Sequence, residues 1–300
     1  MKKIFLSIIS LSIFAISNLT GCQNKPKQKT FYDDNYTLYQ DISYGSHYRH
    51  RYDICIPKSP SKPNGLLLYI HGGGWAAGDK DAYWHSLAND ATSFGVTVAA
   101  MDYRYANNKN THYQEILDDI YNCVSSIKEM GKNHNLDLKH MITSGGSAGG
   151  HLSLFYSYRM KDKSPITPTA AISYCGITDF LDPNFYNQED KKWRSQICRM
   201  LENVTGEKLS DGISKKEEET LLDVSPLNYV DSNTVPTLFA HGDIDNVVPY
   251  SNATSLKEKL DLYKVKNDFV TFNNSGHGLE NDPIASQQMN EKIVEYLAYL

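Results

Sequence analysis

A chain of 300 residues is long enough to build one large α/β domain around a substantial core. With 40% hydrophobic and 22% charged residues, its composition is that of an ordinary globular chain, not of a disordered or fibrous one. A net charge of −5 with no long Lys/Arg cluster excludes a nucleic-acid partner and leaves small molecules as the expected ligands.

Lys2 and Lys3 precede an apolar run from Ile4 to about Ile16, which gives way to Ser17-Asn18-Leu19-Thr20-Gly21-Cys22. The run is shorter than the roughly 20 residues a membrane-spanning helix needs, so residues 1–21 read as an export signal. Leu19-Thr20-Gly21-Cys22 also resembles the bacterial lipobox. That resemblance implies cleavage before Cys22, acylation of its thiol, and a mature protein lipid-anchored to a membrane of the bacterial cell envelope, outside the cytoplasm. A plain signal peptide with a coincidental cysteine is the alternative. Residues 22–37 then read as a polar tether, and 38–300 as the folded domain. Cys55, Cys123, Cys175 and Cys198 remain, an even number that leaves disulfides open in an exported chain. Their spacing shows no C-x-x-C pair and no nearby histidine partner, so no metal site is expected and buried free thiols are the default.

Tyr48 to Ile56 alternates polar and apolar residues in its later half, which predicts an early antiparallel strand. Gly65 to His71 and Val96 to Tyr103 are continuous apolar runs, as expected of central parallel strands covered on both faces. Helices are predicted over about Asp81 to Phe94 and over Tyr113 to Asn133, where Ile116, Ile120, Cys123, Val124 and Ile127 recur at helical spacing. Met141-Ile142-Thr143 forms a short strand, and Ala148 to Met160 a helix after it. Thr169 to Tyr174, Val235 to His241 and Asp268 to Phe272 supply further strands before a closing helix of about Ile284 to Leu300. Strands alternating with helices predict a mostly parallel sheet of about eight strands with helices on both faces. Residues 178–233 break this rhythm, being polar and rich in aromatic residues around Phe180, Phe185, Tyr186 and Trp193. They are expected to form a helical cap, with Lys215-Lys216-Glu217-Glu218-Glu219 as a solvated helix face.

Between the strand at Met141 and the helix at Ala148 lies Gly145-Gly146-Ser147-Ala148-Gly149. A G-x-S-x-G segment in that position puts a serine on a sharp turn with its hydroxyl lifted out of the sheet, and the flanking glycines leave room for the turn. Alone, the pattern is no more specific than an ordinary Gly/Ser turn. His71-Gly72-Gly73-Gly74-Trp75 adds context, because three consecutive glycines cost backbone entropy that a simple loop would avoid. They suit a backbone that aims N–H groups at a developing oxyanion, with the amides of Gly73, Gly74 and Ala148 as donors. A phosphate cradle is the competing reading, but the segment lacks the Lys-Ser/Thr of a P-loop.

These glycines, Asp102-Tyr103-Arg104 and the serine segment resemble the esterase/lipase branch of the α/β-hydrolase superfamily, near the hormone-sensitive-lipase-like enzymes. The early Tyr52-Asp53-Ile54 strand and the Gly74-Trp75 pair are similar to acetylxylan/feruloyl-esterase-like and kynurenine-formamidase-like members. The resemblance implies an α/β-hydrolase fold over roughly residues 38–300 and a triad in the order serine, acid, histidine. His241-Gly242-Asp243-Ile244-Asp245-Asn246-Val247-Val248-Pro249 resembles the family's H-G-x-x-D-x-x-V-P, which assigns Asp245 as the acid and leaves Asp243 to turn chemistry. Asn274-Ser275-Gly276-His277-Gly278 follows the last strand and makes His277 the base. Asp102 and Arg104 read as an internal loop brace, the remaining histidines as surface or packing groups, and Trp75 as part of the substrate surroundings. The expected activity is carboxylic-ester hydrolysis through an acyl-enzyme on a small or carbohydrate-linked ester, with no cofactor. An amidase, formamidase or peptidase would use the same triad, and a hydrolase-fold binding protein without chemistry is the reading from another class.

Overall fold

Two features of the central strands build the fold: continuous apolar runs, and side chains that alternate between two faces. Leu66, Leu68 and Ile70 of β4 (Lys62–Ile70) turn into one core with Ile116, Ile120 and Val124 of α2 (Tyr113–Asn133) and Leu152 and Phe155 of α3 (Ala148–Arg159). Leu67 and Tyr69 turn the other way, toward Leu87 and Ala91 of α1 (Trp84–Phe94) and Met289, Ile293 and Tyr296 of α8 (Pro283–Tyr296). Both faces are covered, which is why the strand reads as unbroken hydrophobic sequence.

The computed structural model describes residues 28–107, 109–186, 191–208 and 214–300, without the side chains of 84, 85, 186 and 191–197. The expected signal segment, Cys22, the start of the tether and the side chains of Tyr186 and Trp193 lie outside the described residues. Among the described residues no helix is long and apolar enough to cross a membrane.

The other strands are β1 (Lys29–Tyr32), β2 (Tyr36–Ser43), β3 (Arg51–Pro57), β5 (Val96–Met101), β6 (His140–Gly146), β7 (Thr167–Tyr174), β8 (Thr237–Gly242) and β9 (Asn267–Phe272). Their order in one sheet is β1-β2-β3-β5-β4-β6-β7-β8-β9. β1, β2 and β3 pair antiparallel, as do β3 and β5, and every pair from β5 through β9 is parallel. The described sheet has nine strands, in line with the expected mostly parallel sheet of about eight, and one expectation needs correction: the chain enters the sheet at Lys29, so the tether does not run to residue 37. β1 and the start of β2 form a solvated edge ribbon, whose polar residues look like linker in sequence. The third strand begins at Arg51, because His47 to His50 form a turn in which His50 N–H donates to His47 O.

After β7 come the cap helices α4 (Pro183–Tyr186), α5 (Lys191–Thr205) and α6 (Lys215–Val224), as the sequence predicts. Leu201, Val204, Leu221 and Val224 tie α5 and α6 into the core of α2 and α3. The charged run at the start of α6 is solvated except for Glu217, whose carboxylate accepts from Ser214 N–H while Ser214 Oγ accepts from Glu217 N–H, a reciprocal cap. The helix α7 (Ser251–Leu262) follows β8. Its buried stripe of Asn252, Ala253, Leu256 and Leu260 is too narrow to predict a helix from sequence.

Candidate active site

Ser147 stands where β6 ends and α3 begins, with φ 55° and ψ −123°. A non-glycine residue in this region is strained, and the surroundings hold it there: Ser147 N–H donates to Tyr174 O at 2.7 Å, and Ser147 O accepts from His151 N–H at 2.9 Å. The flanking glycines are required by space. A Cβ on Gly145 or Gly149 would collide with the carbonyl of Ile70 at the end of β4. Ala148 is the first residue of α3, so its N–H is one that the helix leaves unpaired, at the positive end of the helix dipole.

The loop after β4 lies against this turn. A Cβ on Gly72 would sit 2.7 Å from Gly146 O and 3.5 Å from Ser147 Cβ. Gly73 and Gly74 adopt φ of 101° and 58°, and among the described residues their N–H groups meet no acceptor. The loop is held from behind. Arg49 donates to Tyr103 O at 2.7 Å, to Gly78 O at 3.0 Å and to Asp102 Oδ1 at 3.2 Å, while Asp102 Oδ1 accepts from Lys80 N–H at 2.8 Å. His71 stacks on Tyr103 with centroids 4.2 Å apart, and its Nε2 accepts from Arg49 at 3.0 Å. Burial, reinforced by the Arg49 guanidinium, pushes the His71 ring down to about 3, so it stays neutral. Arg104 grips Asp119 of α2, with its terminal nitrogen 2.7 Å from Oδ1. Asp102 and Arg104 are thus braces. Arg49, which sequence reasoning passed over, is the centre of the first one.

Trp75 corrects an expectation. Its indole has no exposed surface, donates to His151 Nδ1 at 3.1 Å and packs on Phe180, so it cannot touch a substrate. His151 Nε2 in turn donates to Val224 O at 2.8 Å, linking the glycine loop, α3 and the last turn of α6. With one ring nitrogen accepting and the other donating, His151 is neutral, and burial pushes it down to about 4. Among the described residues, Met200 of α5 is a cap side chain that reaches the glycine loop. It is half-buried, and its Cε would lie 2.6 Å from a Cβ on Gly74.

Asp245 and His277 come together as expected from the motif: His277 Nδ1 lies 2.7 Å from Asp245 Oδ2. The Asp245 side chain is fully buried and that of His277 is 15% exposed. Asp245 Oδ1 accepts from Val247 N–H at 2.8 Å and Val248 N–H at 3.0 Å, and Oδ2 also lies 3.3 Å from His241 Nε2. Burial works to raise this carboxyl, but hydrogen bonds from His241 and His277 outweigh it and hold the group well below the usual carboxylate range. Asp243 is exposed and takes Ser275 N–H at 3.3 Å, which is turn chemistry. The three residues share one edge of the sheet. Ser147 bonds to the end of β7, Cys175 N–H to Ala240 O of β8, and Gly242 packs so closely on Ser275 and Gly276 that no side chain fits. Among the described residues Cys55, Cys123, Cys175 and Cys198 form no disulfide, and the first three are buried.

The strained serine turn, the glycine loop and the paired His277 and Asp245 on a mostly parallel sheet define an α/β-hydrolase of the hormone-sensitive-lipase-like kind. A model of the BD-FAE family matches residues 52–260, and the chain belongs to that family. It is 24% identical over 233 residues to esterase LipC of Mycobacterium tuberculosis, covering 74% of this chain and 54% of that protein. It is also 24% identical to the probable carboxylic ester hydrolase LipM of the same organism, covering 73% and 51% respectively. The chain therefore spans about half the length of these relatives. Among solved structures, a truncated carbohydrate esterase from gut microbiota superposes with a TM-score of 0.69 at 20% identity, over 90% of this chain and 98% of that one. A bacterial heroin esterase gives 0.71 at 19% identity, over 89% and 85%. At such identities the likeness speaks for the fold.

Proposed function

We propose that the protein hydrolyses carboxylic esters through a covalent acyl intermediate on Ser147. The single observation that carries this reading is the serine held at φ 55° at the head of α3, on the same sheet edge as a histidine already oriented by a buried carboxylate. A serine hydroxyl is a poor nucleophile until a base takes its proton. With Nδ1 bonded to Asp245, His277 presents Nε2 as that base, and the Asp245 charge stabilises the imidazolium that forms. Ser147 Oγ attacks the ester carbonyl, and the N–H groups of Gly73, Gly74 and Ala148 receive the oxyanion. Collapse of the tetrahedral intermediate expels the alcohol, which takes its proton from His277. Water activated by the same histidine then releases the acid.

Met200 over Gly74 narrows the space beside the oxyanion donors, which favours short acyl groups. The alcohol side is read as small or carbohydrate-linked, in keeping with the carbohydrate esterase among the structural relatives. The experiment is a panel of aryl acetates, butyrates and octanoates, acetylated and feruloylated sugars, and formamide and peptide substrates, run on the wild type and on Ser147→Ala. Short-chain esters should be turned over by the wild type alone, and the variant should unfold at the wild-type temperature. Turnover retained in Ser147→Ala, or confined to amides, would overturn the reading. The Leu19 to Cys22 segment supports a lipid-anchored envelope location, which metabolic palmitate labelling lost in Cys22→Ser would test.

A further inference from the structure

The triad acid has two neighbours that the proposed reaction does not use as bases or nucleophiles. Cys175 follows β7, His241 lies in β8 and Asp245 in the loop after it. All three are buried, and one ligand atom from each, Sγ, a ring nitrogen and a carboxylate oxygen, lies within 4.8 Å of the others. Cys175 is held at φ 47°, with its Sγ within 4.8 Å of an Asp245 carboxylate oxygen. His241 Nε2 donates to Val248 O at 2.9 Å and stands 3.3 Å from Asp245 Oδ2.

We propose that Cys175, His241 and Asp245 form an inhibitory site for a thiophilic divalent cation such as Zn²⁺ or Cd²⁺, which switches off the triad by taking Asp245 Oδ2 from His277. The donor set is sulfur, nitrogen and oxygen, which suits these cations and not Mg²⁺ or Ca²⁺. Bond lengths of about 2.0–2.3 Å in a tetrahedral shell put neighbouring ligand atoms about 3.3–3.6 Å apart. His241 and Asp245 already stand at that separation. Charge also balances: one thiolate and one carboxylate neutralise a dication, so binding leaves no net charge in a buried place where an unpaired charge is costly. On binding, the Cys175 S–H bond breaks, its proton goes to solvent and the sulfur–metal bond forms. The His241 proton moves from Nε2 to Nδ1 by way of solvent, freeing the Nε2 lone pair and the carbonyl of Val248. No electron is transferred. One proton is released per cation, so binding tightens as pH rises. His277 Nδ1 then loses the carboxylate that orients it.

The inference rests on the hydrolytic reading only for its inhibition readout, and a spectroscopic readout separates the two. Cd²⁺ titrated into the full chain should produce the ultraviolet thiolate-to-cadmium absorption at one equivalent, reversed by EDTA. Zn²⁺ should lower ester turnover at least tenfold and EDTA should restore it. Cys175→Ser and Cys175→Ala should each lose the absorption and the inhibition while keeping metal-free turnover within about threefold, and Cys198→Ser should keep both. Two variants guard against one that does not fold. Absorption and inhibition unchanged in a folded Cys175 variant would overturn the proposal, as would the absence of the cadmium band in the wild type. A cadmium band dependent on Cys175 in a protein without ester turnover would support the metal site and refute the esterase reading.

Discussion

The catalytic edge of the sheet and the cap are held by different physics. At the edge, backbone does the work: Ser147 N–H bonds to Tyr174 O, Cys175 N–H to Ala240 O, and glycines at 145, 149 and 242 stand where a Cβ would strike a carbonyl. The cap is held by side chains. Trp75, His151 and the carbonyl of Val224 form one strut; Asp223 forms another, accepting from Tyr113 at 2.5 Å, Tyr229 at 2.6 Å and Arg159 at 3.0 Å. Backbone closeness tolerates almost no substitution, whereas side-chain struts can be exchanged. In the proposed function the sheet edge carries the chemistry and the cap the choice of substrate, so changes in the two regions should fail in different ways.

The largest effect belongs to the edge. Asp245→Asn should lower kcat by about 10⁴-fold in steady-state ester assays, because it offers His277 the wrong tautomer partner. Asp243→Asn, on an exposed side chain, should stay within about threefold. Equal losses in both would remove the distinction between the two aspartates. Next comes the glycine loop. Gly73→Ala puts a side chain at φ 101°, where it would strike Ala77 O, and should cost about 10²–10³-fold in kcat with little change in KM. A pure KM effect would mean that the loop serves binding only.

The cap strut should show itself in stability and not in chemistry. The folded His151 value near 4 lies below the unfolded 6.5, so the unfolded chain binds more protons between those pH values. The stability His151 contributes is full above about pH 6.5 and is lost as pH falls toward 4. His71, pushed down to about 3, acts with the same sign, whereas Asp90, which burial raises to about 6, acts with the opposite one. Glutamine at 151 can accept from Trp75 and donate to Val224 without titrating. Denaturant unfolding at pH 7 and pH 5 should therefore show Ser147-dependent activity intact in His151→Gln and an acid loss of stability smaller than that of the wild type by on the order of 2 kcal/mol. Parallel curves would mean the ring is not held neutral. The smallest effect is at Met200: Met200→Ala should shift acyl preference from acetate toward octanoate by about tenfold with the rate on acetate nearly unchanged. No shift would place the acyl group elsewhere.

The same contrast explains what could be read from the chain. Continuous runs such as Gly65 to His71 and the periodic Ile116, Ile120 and Ile127 carried the sheet and α2, which occupies Tyr113–Asn133 as predicted. Ser147, Asp245 and His277 are legible through short motifs that resemble those of a known family, each contained in one stretch of chain. Other features depend on partners distant in sequence. Helix α7 buries only Asn252, Ala253, Leu256 and Leu260, a stripe too narrow to stand out in a polar stretch. The β1 ribbon is solvated and so resembles linker. Trp75 sits next to the glycines in sequence, but its fate is decided by His151 and Phe180. Spacing rules that excluded a metal site look along the chain, whereas Cys175 and His241 meet only because β7 and β8 are neighbours in the sheet.

Every step of the proposed reaction depends on Ser147 being the nucleophile. Reaction of the full chain with a fluorophosphonate, followed by digestion and tandem mass spectrometry, tests it directly. The expected result is one adduct per chain, located on Ser147, absent in Ser147→Ala and slowed in Asp245→Asn. An unlabelled folded protein, or an adduct on any other residue that persists in Ser147→Ala, would contradict it.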